Sequence, residues 1–142
     1  MGVIASSLYL TTTLDADLAA LNSAGAKVIL FKNNWTPAVG DTISALTEAD
    51  FSGYAAQTIG AWAASAFSTG KARSSASSNP FVFTNSTGVT NNDIYGYAVV
   101  NSAKTVLHFA ERGAAAPYDL NGAGKSLAIN LKYTRGDDPS PD

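Results

Sequence analysis

The chain has 142 residues, no cysteine and one histidine, His108, which excludes disulfide scaffolds, thiolate zinc sites, cysteine nucleophiles and multi-histidine metal centres. Charged residues make up 14% of the chain and the net charge is −2, so it lacks the basic surface that nucleic acids and anionic membranes attract. We therefore expect one domain with a neutral polar surface, and no cofactor, metal, nucleic-acid or membrane partner.

The N-terminal part of the sequence predicts an arm followed by one short helix. Residues 1–10 lack the basic start and the apolar segment of a secretory signal, so we expect synthesis in the cytoplasm. Asp15 can cap a helix over residues 15–24 in which leucines share one face. Gly25 follows, as is typical of a helix end.

The next segments predict short strands separated by breaks. Residues 27–31 form an apolar run that is typical of a buried strand, and residues 33–41 contain the asparagine, proline and glycine that interrupt it. Residues 46–54 predict a turn, or one turn of helix, that leads into a strand. Residues 58–68 alternate in polarity but are rich in alanine, so they fit a strand or a helix, and we favour the strand.

The central part of the chain contains the clearest β-signal. Residues 71–79 are rich in serine and alanine and fit an edge strand or a mobile loop. Phe81, Val82 and Phe83 predict the core of a strand, and residues 85–93 predict a polar loop. Residues 94–101 and 104–112 alternate over two adjacent runs and therefore predict a β-hairpin.

The C-terminal part predicts a loop, a strand and a tail. Residues 113–125 are rich in glycine, alanine and asparagine and predict a loop. Residues 127–134 alternate between apolar and polar side chains, which predicts a final half-buried strand. Residues 136–142 are acidic and contain two prolines, so we expect a disordered tail.

These elements predict an all-β chain, arranged as a single antiparallel sandwich or jelly-roll-like domain with one short N-terminal helix. The predicted organisation is an N-terminal arm and helix over residues 1–26, a β-sandwich domain over 27–135, and a flexible tail over 136–142.

No pattern in the sequence identifies a catalytic site. Gly124, Lys125 and Ser126 resemble the end of a P-loop, but Asp119 stands where the first glycine belongs, and a strand follows instead of a helix. His108 has Glu111 three residues away, which on a regular strand lies on the opposite face. We therefore predict no catalytic residue and a protein that is not an enzyme.

Aromatic side chains leave a second function open. Trp35 lies in a predicted loop and is the best candidate for an exposed platform on which a sugar ring could stack, and Tyr118 is the next candidate. Packing into the core is the ordinary role of both side chains. A carbohydrate-binding module is therefore the alternative hypothesis.

Three segments together resemble a known class of protein. They are residues 28–37, with the sequence VILFKNNWTP, residues 46–54, with the sequence LTEADFSGY, and the hairpin segments 95–100 and 109–112. In this order they resemble small all-β virion proteins of tailed bacteriophages, of the kind that decorate or cement capsids. The resemblance covers about residues 27 to 134.

The resemblance implies a structural role on the capsid surface of a virion, and an adhesion protein associated with the tail or fibre is the alternative. It implies a homo-oligomer, with a trimer favoured, that is made in the host cytoplasm and binds a shell of major capsid protein. The low charge of the chain is in keeping with a surface that partners cover. The predicted interface or ligand contacts are the uncharged residues of the arm and loops: Leu8, Tyr9, Leu10, Trp35, Ser77, Asn91 and Tyr118.

Overall fold

The computed structural model describes residues 25–59, 66–68, 73–77 and 80–136, with side chains for 25–59 and 80–131. The described chain consists mostly of strands in antiparallel sheets with almost no helix, which confirms the all-β prediction. The predicted helix over 15–24, most of the arm and nearly all of the predicted tail lie outside the described residues. No helix among the described residues is long and apolar enough to cross a membrane.

Eleven strands and one 3-10 helix are described, and the chain divides into two compact units. The larger unit covers residues 24–59 and 80–129, and the smaller one covers 1–23, 60–79 and 130–142. In chain order the elements are β1 Lys27–Phe31, η1 Ile43–Ala45, β2 Gln57–Thr58, β3 Ala66–Ser68, β4 Arg73–Ser77, β5 Phe81–Thr84, β6 Asn92–Ile94, β7 Gly96–Val100, β8 Leu107–Arg112, β9 Tyr118–Leu120, β10 Ser126–Ile129 and β11 Lys132–Gly136.

The core of the larger unit is a four-stranded antiparallel sheet with the strand order β2-β1-β7-β8. Strand β1 is central and buried on both faces, which explains its continuous apolar sequence. The prediction of a strand over 27–31 is confirmed, and so is the hairpin, because β7 and β8 pair as antiparallel neighbours. The fully buried core side chains of these strands are Val28, Ile29, Leu30, Phe31, Ala98, Val99 and Val100.

Two two-stranded sheets complete the larger unit. Strand β5 pairs with β10, and β6 pairs with β9. Phe81 and Phe83 of β5 are buried whereas Val82 is half exposed, as the alternation predicts. The smaller unit contains one described sheet with the order β11-β4-β3.

Several boundaries differ from the sequence prediction, because partner strands decide them. Residues 113–125, predicted as a loop, contain β9, and the loop predicted over 85–93 ends early because β6 begins at Asn92. Both strands are three residues long, too short to show a periodic pattern. Residues 71–79 contain the central strand β4, so the edge-strand and loop predictions were wrong.

The elements on either side of residue 60 and after residue 126 also differ from the sequence prediction. The predicted strand over 127–134 is two strands, because β10 pairs with β5 whereas β11 pairs with β4. Helix η1 precedes the predicted turn over 46–54, where Glu48 makes only an isolated bridge to Phe31. Residues 58–68 contain the end of β2 and all of β3, and residues 60–65 between them lie outside the described part of the chain.

Candidate functional site

An open cleft of about 360 Å³ lies in the larger unit, between a loop and strand β8 at the edge of the four-stranded sheet. Residues 37–41 form one wall and residues 107–110 form the other. Val39 is fully exposed at the rim, whereas Leu107 and Ala110 are half buried and pack against Ile29, Ala98 and Val100.

A β-bulge places His108 in this cleft. Val99 of β7 opposes Phe109 and Val100 opposes Leu107, so His108 has no residue opposite it on β7. The extra residue lets Leu107 and Ala110, three positions apart, pack against the same core cluster. His108 itself is exposed and lines the cleft.

The loop on the other side of the cleft is fixed by Trp35. Its indole Nε1 donates a hydrogen bond to Oδ2 of Asp41 at 3.0 Å, and the amide of Ala38 donates to the same oxygen at 2.9 Å. The Trp35 ring packs edge-to-face on Phe31 with 5.0 Å between ring centroids. Trp35 is therefore half buried, and part of its surface serves to hold the loop.

Arg112 at the end of β8 anchors the start of the same loop. Its Nη1 donates to Oδ1 of Asn34 at 2.6 Å and to the carbonyl oxygen of Trp35 at 3.3 Å. The guanidinium also lies 5.1 Å from the centroid of the Tyr95 ring, which is a cation–π distance. Both walls of the cleft are thus tied to each other by side chains.

A second polar cluster joins the hairpin loop to β1. Glu48 accepts hydrogen bonds from Lys104 Nζ at 2.9 and 3.1 Å and from the Tyr54 hydroxyl at 2.8 Å. The Tyr54 oxygen in turn accepts from the amide of Leu30 at 3.2 Å. Burial raises the pKa of Tyr54 above its ordinary value, and the bond to Glu48 raises it further. The cluster therefore holds a protonated tyrosine between strand β1 and the carboxylate of Glu48.

The half-buried side chains of Tyr54 and Tyr97 predict a loss of stability at high pH. Burial, with a bond to Glu111, also raises the pKa of Tyr97 above its ordinary value. Both pKa values are raised in the folded state, whereas the unfolded chain releases these protons at about pH 10. The two tyrosines therefore contribute their full stabilisation below that pH, and the free energy of unfolding falls as the pH rises above it. Urea midpoints measured between pH 9 and about pH 11.5 should decrease, and less steeply in Tyr97→Phe. A midpoint that stays constant over this range would contradict the prediction.

A third cluster is centred on Asn85, which is fully buried. Its side-chain nitrogen donates to the carbonyl oxygen of Leu120 at 2.8 Å, to that of Thr90 at 3.2 Å and to Oδ1 of Asn91 at 2.9 Å. Its Oδ1 accepts from the amide of Gly88 at 2.8 Å. Asn85 therefore joins the loop over residues 85–91 to the end of β9.

Asn91 and Tyr118, which were also predicted as contacts, do not line the cleft. Asn91 is exposed, but its Oδ1 accepts bonds from Asn85 and from the amide of Gly122. Tyr118 is half buried and lies so close over Gly113 that a β-carbon there would overlap its ring. Ser77 ends β4 and its side chain is outside the described set, as are Leu8, Tyr9 and Leu10.

The exposed carboxylates of Asp50 and Asp119 are held by neighbouring side chains. Asp50 accepts from Lys32 at 2.9 Å and from Asn92 at 3.0 Å, and these bonds hold its pKa below the ordinary value. Asp119 is held in the same way by Lys125, with the same effect on its pKa. Within residues 25–59 and 80–131, no group of three or more histidine, aspartate or glutamate side chains is placed to hold a metal.

Sequence reasoning placed Trp35 correctly in a loop but missed Asp41 and the role of the bulge. The only available signal for Asp41 was its position after Pro37 and Gly40, where a turn returns the chain towards Trp35. Comparisons of the chain with family models, with curated proteins and with solved structures found no match.

Proposed function

We propose that this chain is a non-enzymatic structural protein of a tailed-phage virion, which binds the outside of the assembled capsid shell as a decoration protein. The observation that carries the proposal is that the acidic side chains form hydrogen bonds within the chain. Every acidic side chain in residues 25–59 and 80–131 accepts a hydrogen bond from within the chain: Asp41, Glu48, Asp50, Asp93, Glu111 and Asp119.

Ion pairs within the chain neutralise part of the charge on its surface. Lys32, Lys104 and Lys125 each form an ion pair with one of these carboxylates. Val39 and Val89 are exposed by 108% and 84%, on two loops held in place by hydrogen bonds. Loops with exposed apolar tips fit a protein whose partner binds by shape and hydrogen bonding.

The finer features of the proposal follow from the sequence. We take the fold to be a jelly-roll-like sandwich, the assembly to be a homo-oligomer with a trimer favoured, and the partner to be the major capsid protein. A ligand that binds only the assembled shell stabilises it by mass action, and many copies make a modest affinity per copy sufficient.

Shell binding should depend little on salt. The dissociation constant of the purified chain for purified shells should change less than about threefold between roughly 50 and 500 mM NaCl. Val89→Asp should weaken binding about tenfold because it buries a charge in a neutral contact, whereas Val89→Thr, which keeps the shape, should not. A steep loss of binding with salt would contradict the proposal.

The number of copies per particle tests the location. Quantitative mass spectrometry of particles from the source lysate should find this chain in numbers comparable with those of the major shell protein. A few copies per particle would place it in the tail or at a vertex, and none would overturn the virion proposal.

A further inference from the structure

The cleft between residues 37–41 and β8 combines a fixed hydrogen-bond acceptor with an imidazole on an apolar floor. The Asp41 carboxylate is oriented through Oδ2, which accepts from both Trp35 and Ala38. Its Oδ1 has no partner among the side chains and backbone groups described for residues 25–59 and 80–131. An acceptor held in this way needs no reorganisation to receive a hydroxyl.

His108 supplies the second polar group. It is the extra residue of the bulge in β8, and bulges commonly redirect a side chain towards a site. Its ring is exposed and makes no hydrogen bond within the described part of the chain. One imidazole nitrogen can donate and the other can accept, so His108 complements Asp41, which only accepts.

We propose that this cleft binds one neutral saccharide unit, with a hydroxyl donating to Asp41 Oδ1 and a second hydroxyl bonded to His108. Pro37, Leu107 and Ala110 provide the apolar surface against which the C–H face of a sugar ring packs. The volume of about 360 Å³ is at the lower end of the range for small-ligand sites, roughly 300 to 1,000 Å³.

The chemistry of the walls favours a sugar over an ion. The carboxylate of Asp41 repels an anion. It is the only carboxylate among the lining residues that the structure describes, so a divalent cation would lack ligands there. Trp35 acts here by holding Asp41 and not as the stacking platform. The proposal does not depend on a location in the virion.

The single histidine makes the test direct, because His108 alone contributes imidazole ring protons to the NMR spectrum. Neutral mono- and disaccharides of glucose, galactose, mannose and N-acetylglucosamine are titrated into the full chain. At least one of them should shift these two signals and saturate with a dissociation constant of about 1 mM. If none of the sugars moves them, the proposal is overturned.

Two variants and a matched control identify the site. Asp41→Asn keeps an oxygen for Trp35 and Ala38 but replaces Oδ1 with an amide donor, so it should weaken binding about tenfold without releasing the loop. In Asp93→Asn the same charge is removed outside the cleft, and binding should be unchanged. His108→Ala, followed through ligand saturation transfer, should also weaken binding. Equal affinity in Asp41→Asn, His108→Ala and the native chain would overturn the assignment.

Discussion

Replacing Asn85 with alanine should lower the free energy of unfolding by about 3 kcal/mol. The variant leaves the carbonyl of Leu120 and the amide of Gly88 without the bonds that they make in the native chain. Asn85 is fully buried, so water cannot replace those bonds without opening the loop. Urea unfolding followed by circular dichroism measures the loss.

Two further substitutions show whether the loss of stability in Asn85→Ala comes from the missing amide group. Asn85→Asp has the same shape but cannot donate to Leu120, so it should lose at least as much stability at neutral pH. Asn130→Ala removes an exposed asparagine that makes no hydrogen bond within the described residues, and it should cost less than about 1 kcal/mol. If Asn85→Ala and Asn130→Ala unfold at the same urea concentration, Asn85 does not hold these loops together.

Gly96→Ala should be about as destabilising, at about 3 kcal/mol, because the strand has no room for a methyl group. A β-carbon at Gly96 would overlap the carbonyl oxygen of Glu111 and lie 2.5 Å from Cζ of Phe31. Phe31 is the cross-strand partner of Gly96, and its ring covers the glycine. Thermal and urea unfolding measure the effect.

Gly40 is the control for Gly96, because it has a positive φ but open space where a β-carbon would lie. A β-carbon at Gly40 would meet nothing within 4 Å, although φ is +93° there. Gly40→Ala should therefore cost only the backbone strain, about 1 kcal/mol. A Gly96→Ala variant as stable as Gly40→Ala would show that β1 and β7 can separate without loss.

The strands that the sequence predicted best are those whose own residues carry the pattern. Strand β1 is apolar from Val28 to Phe31 because it is central and covered on both faces, and β5 alternates because one of its faces is exposed. Strands β6 and β9 were missed because three residues contain no period, and they exist because each pairs with the other.

The cleft was only partly predictable for a similar reason. Trp35 was identified as an aromatic side chain in a predicted loop, but its partner Asp41 resembles any turn residue. His108 was assigned to a regular strand, in which Leu107 and Ala110 would face opposite sides. The bulge places both on the core.

The sequence by itself determined the all-β class, the central hairpin and the low charge, because periodicity and composition are properties of neighbouring residues. Only the tertiary structure decided which strands are central, where residues 127–134 divide between two partners, and that Asp41 and His108 share one cleft. These features depend on pairing between residues far apart in the chain, and nothing local in the sequence records which strand will lie opposite another.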